Sequence, residues 1–180
     1  MLNTPTSELY APRGIALPDG TRLSVRAIAP DDAPRLQAFV ARLSPQTLFL
    51  RTLVPMKTLS EKDAQRLASV DYRRRMALIA ANDAGEIVGV ARYAVPSGGA
   101  GDSAEIAIVV EDAYQGRTLG TLLLKELAAY ARGQGIAAFT AAVSSENARV
   151  RYLIARSGLP AEIHDAGYGE QEVRILLRKG

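Results

Sequence analysis

Hydrophobic and polar positions change their period within one stretch, residues 104–130. Over positions 104–110 nearly every residue is apolar, alternate residues fall on opposite faces, and a single carboxylate, Glu105, interrupts the run. This period of two, with many β-branched residues, predicts a strand. Beyond a turn, apolar residues recur at helical spacing at positions 119, 122, 123, 127 and 130. The pattern therefore predicts a strand that leads into a helix through the loop 115–121, which holds two glycines.

The rest of the chain contains further segments of both periods. Alternating apolar positions predict strands over 23–28, 75–81, 86–94, 136–143, 162–164 and 172–177. Helical spacing and capping residues predict helices over 30–43, 44–53, 60–70 and 147–157. Residues 1–21 are rich in proline and predict a flexible lead-in, with a short pairing near residues 15–17. We expect one domain over residues 22–180, with a central sheet flanked by helices as in α/β or α+β folds.

Composition excludes several classes of protein. The chain of 180 residues is 48% hydrophobic and 23% charged, as is usual for a soluble globular domain. Without cysteine it has no disulfide framework, thiolate nucleophile or Cys-ligated metal, and we expect no metal cofactor at all. No apolar run approaches 18 residues and no secretory signal is evident, so we expect a cytoplasmic protein without a membrane partner. Aromatic residues are sparse, so no nucleic-acid partner is expected.

The predicted junction between strand and helix suits an anion. The first turn of a helix presents N–H groups without an internal partner, and the helix dipole adds partial positive charge there. Glycines allow close approach of a bulky ligand, and Arg117 could add charge, so a pyrophosphate is the natural guest. Neither the Walker motif nor the dinucleotide fingerprint is present. From the residues alone, an ordinary turn explains the glycines equally well.

The run from Gln115 to Thr121 resembles the acetyl-CoA loop of the GNAT acetyltransferase superfamily, Gln/Arg-x-x-Gly-x-Gly/Ala after a strand. Thr118 stands where the first glycine is expected. We expect threonine to serve there, because the loop acts through backbone N–H groups and a threonine with negative φ suits an early helix position. The resemblance covers about residues 22–178. It is greatest to the GNAT domains of bacterial Pat-like protein lysine acetyltransferases, through residues 43–48, 70–72, 76–80 and 85–92.

The resemblance implies a mixed, mostly antiparallel sheet of about six to seven strands. It also implies transfer of an acetyl group from acetyl-CoA to a primary amine. The acceptor would be a protein lysine, for example on an acyl-CoA synthetase, with a small amine as the alternative. A non-catalytic acyl-CoA-binding sensor domain is a third hypothesis, and the assembly is either a monomer or a homodimer.

Glu105 is the candidate general base. A lysine amine has a pKa of about 10.4, so its deprotonation at pH 7 costs roughly 4.6 kcal/mol. We expect an apolar strand environment to raise the pKa of this carboxyl group and so make it a better base. The resemblance also implies this role for a strand glutamate. The structural alternative for Glu105 is a salt bridge to Arg92 or Arg26. Glu111 and Asp112 are predicted to be turn residues.

The resemblance also implies a set of cofactor-binding residues. In this superfamily the strand before the loop splays at a bulge, which would place the N–H groups of Val109 and Val110 against the acyl carbonyl and pantetheine. Asn147 would open the helix beside the pantetheine arm and also reads as a plain N-cap. The residues expected around the pyrophosphate are Gln115, Gly116, Arg117, Thr118, Leu119, Gly120 and Thr121.

Three other features remain open in the sequence. The tyrosine that serves many GNAT enzymes as general acid is replaced by Ile154, and Tyr152 would point elsewhere on the helix, so we assign no general acid. The run 73–75 of arginines either borders the acceptor site, binds the 3′-phosphate of coenzyme A, or is the solvated start of a strand. His164, the single histidine, has no evident partner.

Overall fold

An eight-stranded sheet runs through the described part of the chain. The computed structural model describes residues 10–52, 58–98 and 101–177, with the backbone alone for 49–52. Across the sheet the strands follow the order β1-β2-β3-β4-β5-β6-β8-β7. Their bounds are β1 Arg13–Ala16, β2 Arg22–Ala27, β3 Arg75–Ala81, β4 Ile87–Ala94, β5 Ser103–Val110, β6 Ala138–Ser144, β7 Ala161–Gly167 and β8 Glu170–Leu176.

All neighbouring strands are antiparallel except β5 and β6, which are parallel. Parallel neighbours need a long crossover, and here helix α4, Leu119–Gly133, supplies it. The parallel pairing is short, because it joins residues 103–105 to 138–140 and then stops. Beyond Glu105 and Thr140 the two strands diverge, and this gap in the middle of the sheet becomes the site described below.

Helices cover the two faces of the sheet unequally. Helix α4 packs on one face, where Leu119, Leu123 and Leu127 are buried, and helix α5, Ala148–Ser157, lies beside it. The other face of β2–β4 is covered by α1, Ala33–Arg42, and α3, Glu61–Ala68. Helix α2, Pro45–Thr52, lies near β5 and β6. Within the described ranges, no helix combines the length and apolarity needed to cross a membrane.

The N-terminal region is more ordered than the predicted lead-in. Residues 13–16 form β1, paired with β2, and Tyr10 and Leu17 are buried in the core. The Tyr10 hydroxyl donates to Glu126 Oε2 at 2.9 Å, which ties this segment to α4. Apolar side chains of residues 10–21 thus pack on the core, and the short pairing predicted near residues 15–17 is present as β1. Residues 1–9 lie outside the described part. With β1, the sheet has eight strands rather than six to seven, and the predicted mixed, mostly antiparallel architecture is confirmed.

Candidate active site

A cavity of about 540 Å³ opens where β5 and β6 diverge. Its walls are the outer half of β5, the first turn of α4, the outer half of β6 and one side of α5. Because Ile106, Ile108 and Val110 pack with the core on the α4 side of the sheet, the cavity lies on that side. We refer to it as the cofactor cavity.

The main chain of β5 presents its polar groups to this cavity at alternate residues. The Glu111 N–H donates to the Val88 carbonyl at 2.9 Å, while Val110 lies opposite Gly89. This places Val110 in a non-hydrogen-bonded pair, so its own N–H and C=O point away from β4 and toward the gap. By the same alternation Ile108 faces the gap and Val109 faces β4.

Two sequence expectations for this strand need correction. Of Val109 and Val110, only Val110 directs its main-chain N–H and C=O into the cavity. The other residue of β5 that does so is Ile108, and nothing about its apolar side chain indicated this role in the sequence. The expected bulge is also absent from the described β4–β5 pairing, whose register is continuous from Glu105 to Val110. The splay arises because β6 leaves β5, and the strand itself stays regular.

The loop before α4 adopts left-handed backbone conformations at two positions. Gly116 has φ 73° and Thr118 has φ 69° with ψ −2°. The expectation of a negative φ at Thr118 is therefore wrong, since this β-branched residue takes the conformation that a motif glycine would supply. Such a conformation costs an L-residue roughly 1–2 kcal/mol. It starts α4 at Leu119, so the N–H groups of residues 119–121 lack helical partners at the cavity wall.

Gly120 packs closely against α5. A Cβ at this position would lie 2.8 Å from Leu153 Cδ1 of α5. Both Gly120 and Leu153 line the cofactor cavity. The missing side chain thus lets α5 approach the first turn of α4 closely and narrows the cavity between them.

Gln115 connects three parts of the cavity wall. Its Nε2 donates to the Val110 carbonyl at 2.9 Å and to Thr47 Oγ1 at 3.1 Å. Its Oε1 accepts a hydrogen bond from the Arg149 guanidinium. Arg149 lines the cavity on α5 and was missed from the sequence, because nothing near it indicated a ligand. The one feature of the sequence that could have indicated this role is that Arg149 lies two residues after Asn147, the predicted cap of a helix beside the cavity.

Arg117 does not face the cavity. Its guanidinium forms an ion pair with Asp19 at 3.2 Å and lies 5.6 Å from the centre of the Tyr114 ring. The side chain is absent from the described lining of the cavity. Arg117 therefore does not add positive charge to the cavity as expected. It contacts the turn between β1 and β2 instead, a segment that the sequence analysis assigned to the lead-in.

Asn147 occupies the position expected of it. It is buried, lines the cavity and caps α5, accepting a hydrogen bond from the Val150 N–H at 3.4 Å. Ile154 is buried in the cavity wall and can donate no proton. Tyr152 also lines the cavity at its open side, although the helical angle had predicted another direction.

The turn after β5 is held by two carboxylates. Asp112 accepts hydrogen bonds from the Ser44 N–H at 3.0 Å, from Ser44 Oγ at 2.7 Å and from Thr47 Oγ1 at 2.8 Å. Burial raises the pKa of Asp112, but the hydrogen bonds from Ser44 and Thr47 outweigh burial and lower this pKa below its usual value. Glu111 pairs with Arg42 at 3.2 Å. Both act as turn residues: Asp112 attaches the start of α2 to the cavity wall, and Glu111 attaches the end of α1.

A second cavity, also about 540 Å³, lies on the opposite face of the sheet. Glu105 lines it, on the same side of β5 as Ala107 and Val109, and we refer to it as the acceptor cavity. It shares four lining residues with the cofactor cavity: Ile106, Ala107, Ala141 and Ala142. The two cavities therefore meet at the point where β5 and β6 diverge.

Glu105 is exposed at the wall of the acceptor cavity, so the predicted enclosure in an apolar environment is not observed. The proposed structural partners are engaged elsewhere. Arg26 forms a bidentate ion pair with Asp32 at 2.7 Å for both contacts, and Arg92 donates to the Leu67 carbonyl at 2.9 Å. Among the described residues no ion pair to Glu105 is found.

The remaining candidates lie away from both cavities. Arginines 73–75 are exposed at the start of β3, where Asp71 Oδ1 accepts their three backbone N–H groups at 2.7–2.9 Å. They form the solvated start of a strand. His164 is exposed on β7 opposite Glu172. In the described part of the chain, no cluster of histidine and carboxylate side chains could hold a metal ion.

The comparison with known families agrees with this geometry. Residues 46–159 match the sequence profile of the acetyltransferase (GNAT) family. This chain belongs to the GNAT family. Since the family takes its acetyl group from acetyl-CoA, the chain is an acetyl-CoA-dependent N-acetyltransferase.

Individual relatives place the chain near the Pat proteins. It is 32% identical over 146 residues to acetyltransferase PA5475 of Pseudomonas aeruginosa, which covers 79% of this chain and 77% of that protein. It is 30% identical over 155 residues to acetyltransferase Pat of Mycolicibacterium smegmatis, covering 84% of this chain but only 45% of that longer protein. The crystal structure of the GNAT domain of S. lividans PAT superposes with a TM-score of 0.84 at 31% identity, covering 92% of this chain and 96% of that domain. The predicted resemblance to Pat-like GNAT domains is thus confirmed.

Proposed function

We propose that this GNAT enzyme transfers the acetyl group of acetyl-CoA to a primary amine, a protein lysine, by direct attack with Glu105 as general base. The observation that carries the proposal is the meeting of two cavities between β5 and β6. A thioester held on the α4 side and an amine held on the other side can reach each other at that junction. Both substrates are then bound at once.

The cofactor cavity has the groups that an extended, anionic thioester requires. The unpaired N–H groups of the first turn of α4 and the positive end of its dipole suit the diphosphate. Arg149 is the charged side chain among the described lining residues, and it adds positive charge. The main-chain groups of Ile108 and the N–H of Val110 offer pairing to the amides of pantetheine in place of the missing strand, while the Val110 carbonyl accepts from Gln115.

The acceptor cavity supplies the chemistry at nitrogen. The amine nitrogen attacks the thioester carbon, the N–C bond forms as the C–S bond breaks, and the thiolate leaves. A lysine nitrogen arrives as an ammonium group and loses two protons in the reaction. Glu105, directly beside the shared residues 106 and 107, accepts the first proton before the attack. The second proton leaves the nitrogen once the N–C bond has formed and passes to the departing thiolate sulfur. A covalent acyl-cysteine route is excluded, because the chain contains no cysteine.

The shape of the acceptor cavity favours a lysine side chain. Its described lining is rich in alanine, and its carboxylates lie at the wall, so a narrow alkyl chain ending in an ammonium group fits. Glu105 and Glu172 are both exposed at this cavity, so the polypeptide that carries the lysine can approach them from solvent.

The test is a steady-state acetylation assay with acetyl-CoA against an adenylate-forming acyl-CoA synthetase and a panel of small amines, monitored by mass spectrometry. We expect lysine acetylation by the natural protein. Because positioned bases contribute about 10²–10⁴-fold to rate, Glu105→Gln should reduce kcat by that factor while coenzyme A still binds in calorimetry. Glu170→Gln is the matched control, since Glu170 is an exposed β8 glutamate outside both described linings.

Three results would overturn the proposal or its protein acceptor. Full activity of Glu105→Gln would show that another group takes the proton. Binding of coenzyme A without acetylation of any amine would favour a sensor domain instead, and acetylation of small amines alone would replace the protein acceptor.

A further inference from the structure

We propose that Glu172 is the acceptor-recognition residue, binding the ammonium form of the incoming amine before Glu105 removes its proton. This inference rests on the proposed function. It assigns separate tasks to the two carboxylates of the acceptor cavity.

Glu172 is placed for this role by the register of the last three strands. It lies on β8 opposite Ala142 of β6, which is one of the residues shared by the two cavities. Val173 on one side of it is buried in the core, so alternation turns Glu172 to the other face of the sheet. Its side chain lines the acceptor cavity together with Glu105.

The charges of the two cavities have opposite signs. Three charged side chains are found in the described lining of the acceptor cavity: Arg92, Glu105 and Glu172. Arg92 is held toward α3 by its bond to the Leu67 carbonyl at 2.9 Å. The lining is therefore net negative, whereas Arg149 makes the cofactor cavity net positive. A negative, partly enclosed cavity attracts a cation.

Small side chains form much of the wall beside Glu172. Gln171 lines the cavity too, but it shares the face of β8 with buried Val173 and so points to the α4 side of the sheet. Alanines supply much of the remaining lining: Ala94, Ala107, Ala141, Ala142 and Ala166.

A second carboxylate is needed because Glu105 cannot perform both tasks. At neutral pH a lysine amine arrives protonated, since its pKa is about 10.4. Once Glu105 has accepted a proton it is neutral and no longer attracts the next cation. Glu172 holds the ammonium at the wall of the cavity and passes no proton itself.

The experiment is the kinetics of Glu172→Gln with a lysine peptide as the varied substrate and acetyl-CoA saturating. Since a hydrogen bond to a charged group is worth about one factor of ten in binding, KM for the peptide should rise roughly tenfold with kcat retained. Added salt should raise KM in the natural protein more than in the variant. Glu172→Asp should restore part of the affinity. Glu170→Gln, on the same face of the same strand, should leave KM unchanged.

The outcomes separate this inference from the proposed function. An unchanged KM in Glu172→Gln, with active natural protein and inactive Glu105→Gln, overturns the role of Glu172 alone. A loss of kcat at constant KM also overturns it, because Glu172 would then act in proton transfer. Full activity of Glu105→Gln overturns the proposed function whatever Glu172 does. Since Glu172 is exposed, thermal melting should show an intact fold.

Discussion

The two cavities of this enzyme have the same volume, about 540 Å³, and meet at four shared residues, yet they are built in different ways. The cofactor cavity is made largely from main-chain geometry: the unpaired edge of β5, the left-handed turn at Thr118 and the first turn of α4. The acceptor cavity is made from side chains on regular strands, with Glu105 on β5 and Glu172 on β8.

Under the proposed function, this difference separates the part of the fold that holds the cofactor from the part that selects the amine. Main-chain groups are presented by any sequence that keeps the turn and the divergence of β5 from β6. Side chains on the open strands can change without altering the backbone. We therefore expect substitutions on the acceptor side to change substrate preference, and substitutions on the cofactor side to change affinity for coenzyme A or stability.

The largest expected effect comes from closing the junction between the cavities. Ala142 lines both, so Ala142→Leu places three additional carbons where thioester and amine must meet. Since a misplacement of about 1 Å can cost about 10²-fold, turnover should fall by at least that factor. Affinity for coenzyme A, measured by calorimetry, should stay the same because the diphosphate end is untouched. Ala161→Leu on exposed β7 adds the same bulk outside both linings and should be neutral.

The next effect tests the positive charge of the cofactor cavity. Arg149→Ala should weaken binding of coenzyme A by about 10–100-fold, the cost of losing a hydrogen bond to a charged partner. Arg151 lies on the same helix and donates to the Ser145 carbonyl at 2.8 Å, outside the described lining. Arg151→Ala should leave the dissociation constant unchanged, and equal losses in the two variants would contradict a specific role for Arg149.

A smaller effect concerns the support of the cofactor cavity. Asp112→Ala removes three hydrogen bonds to Ser44 and Thr47 and should lower the free energy of unfolding by about 1–2 kcal/mol. The folded pKa of Asp112 lies below its unfolded value, so its contribution is complete above about pH 4 and is lost as pH falls through the folded pKa. Denaturation at pH 7 and pH 3 should therefore show a difference from the natural protein that shrinks in acid. Asp83→Ala, in the exposed β3–β4 turn, serves as the control.

The smallest effect has the opposite sign. Thr118→Gly relieves a left-handed conformation and should raise the free energy of unfolding by about 0.5–1 kcal/mol, after allowing for the greater chain entropy of glycine. If the loop binds the diphosphate through its main chain, affinity for coenzyme A stays unchanged. Thr121→Gly, within the first turn of α4, should destabilise the protein by about 1 kcal/mol. A stabilised Thr118→Gly variant with much weaker binding would show that the hydroxyl is a ligand.

The sequence predicted the parts of the site that lie together along the chain. The strand with Glu105, the loop, the start of α4 and the cap at Asn147 all carry local patterns of period, glycine and capping, and the structure places them as expected. Turn roles for Glu111 and Asp112 were also visible in the sequence.

What the sequence could not predict depends on partners distant along the chain. The direction of the Ile108 and Val110 main chain follows from pairing with β4, and the position of Arg149 follows from contact with Gln115, 34 residues earlier. Arg117 turns to Asp19 because residues 10–21 fold onto the core. The exposure of Glu105 also depends on tertiary packing, since α1 and α3 cover β2–β4 rather than the start of β5.

The most direct measurement is the affinity of a bisubstrate compound, coenzyme A joined through an acetyl bridge to the lysine nitrogen of a peptide. If the two cavities hold both substrates at once, linkage should make it bind about 10²-fold or more tightly than coenzyme A in calorimetry. Ala142→Leu should abolish that advantage. Equal affinity of the conjugate and coenzyme A for the natural protein would contradict a shared site between β5 and β6.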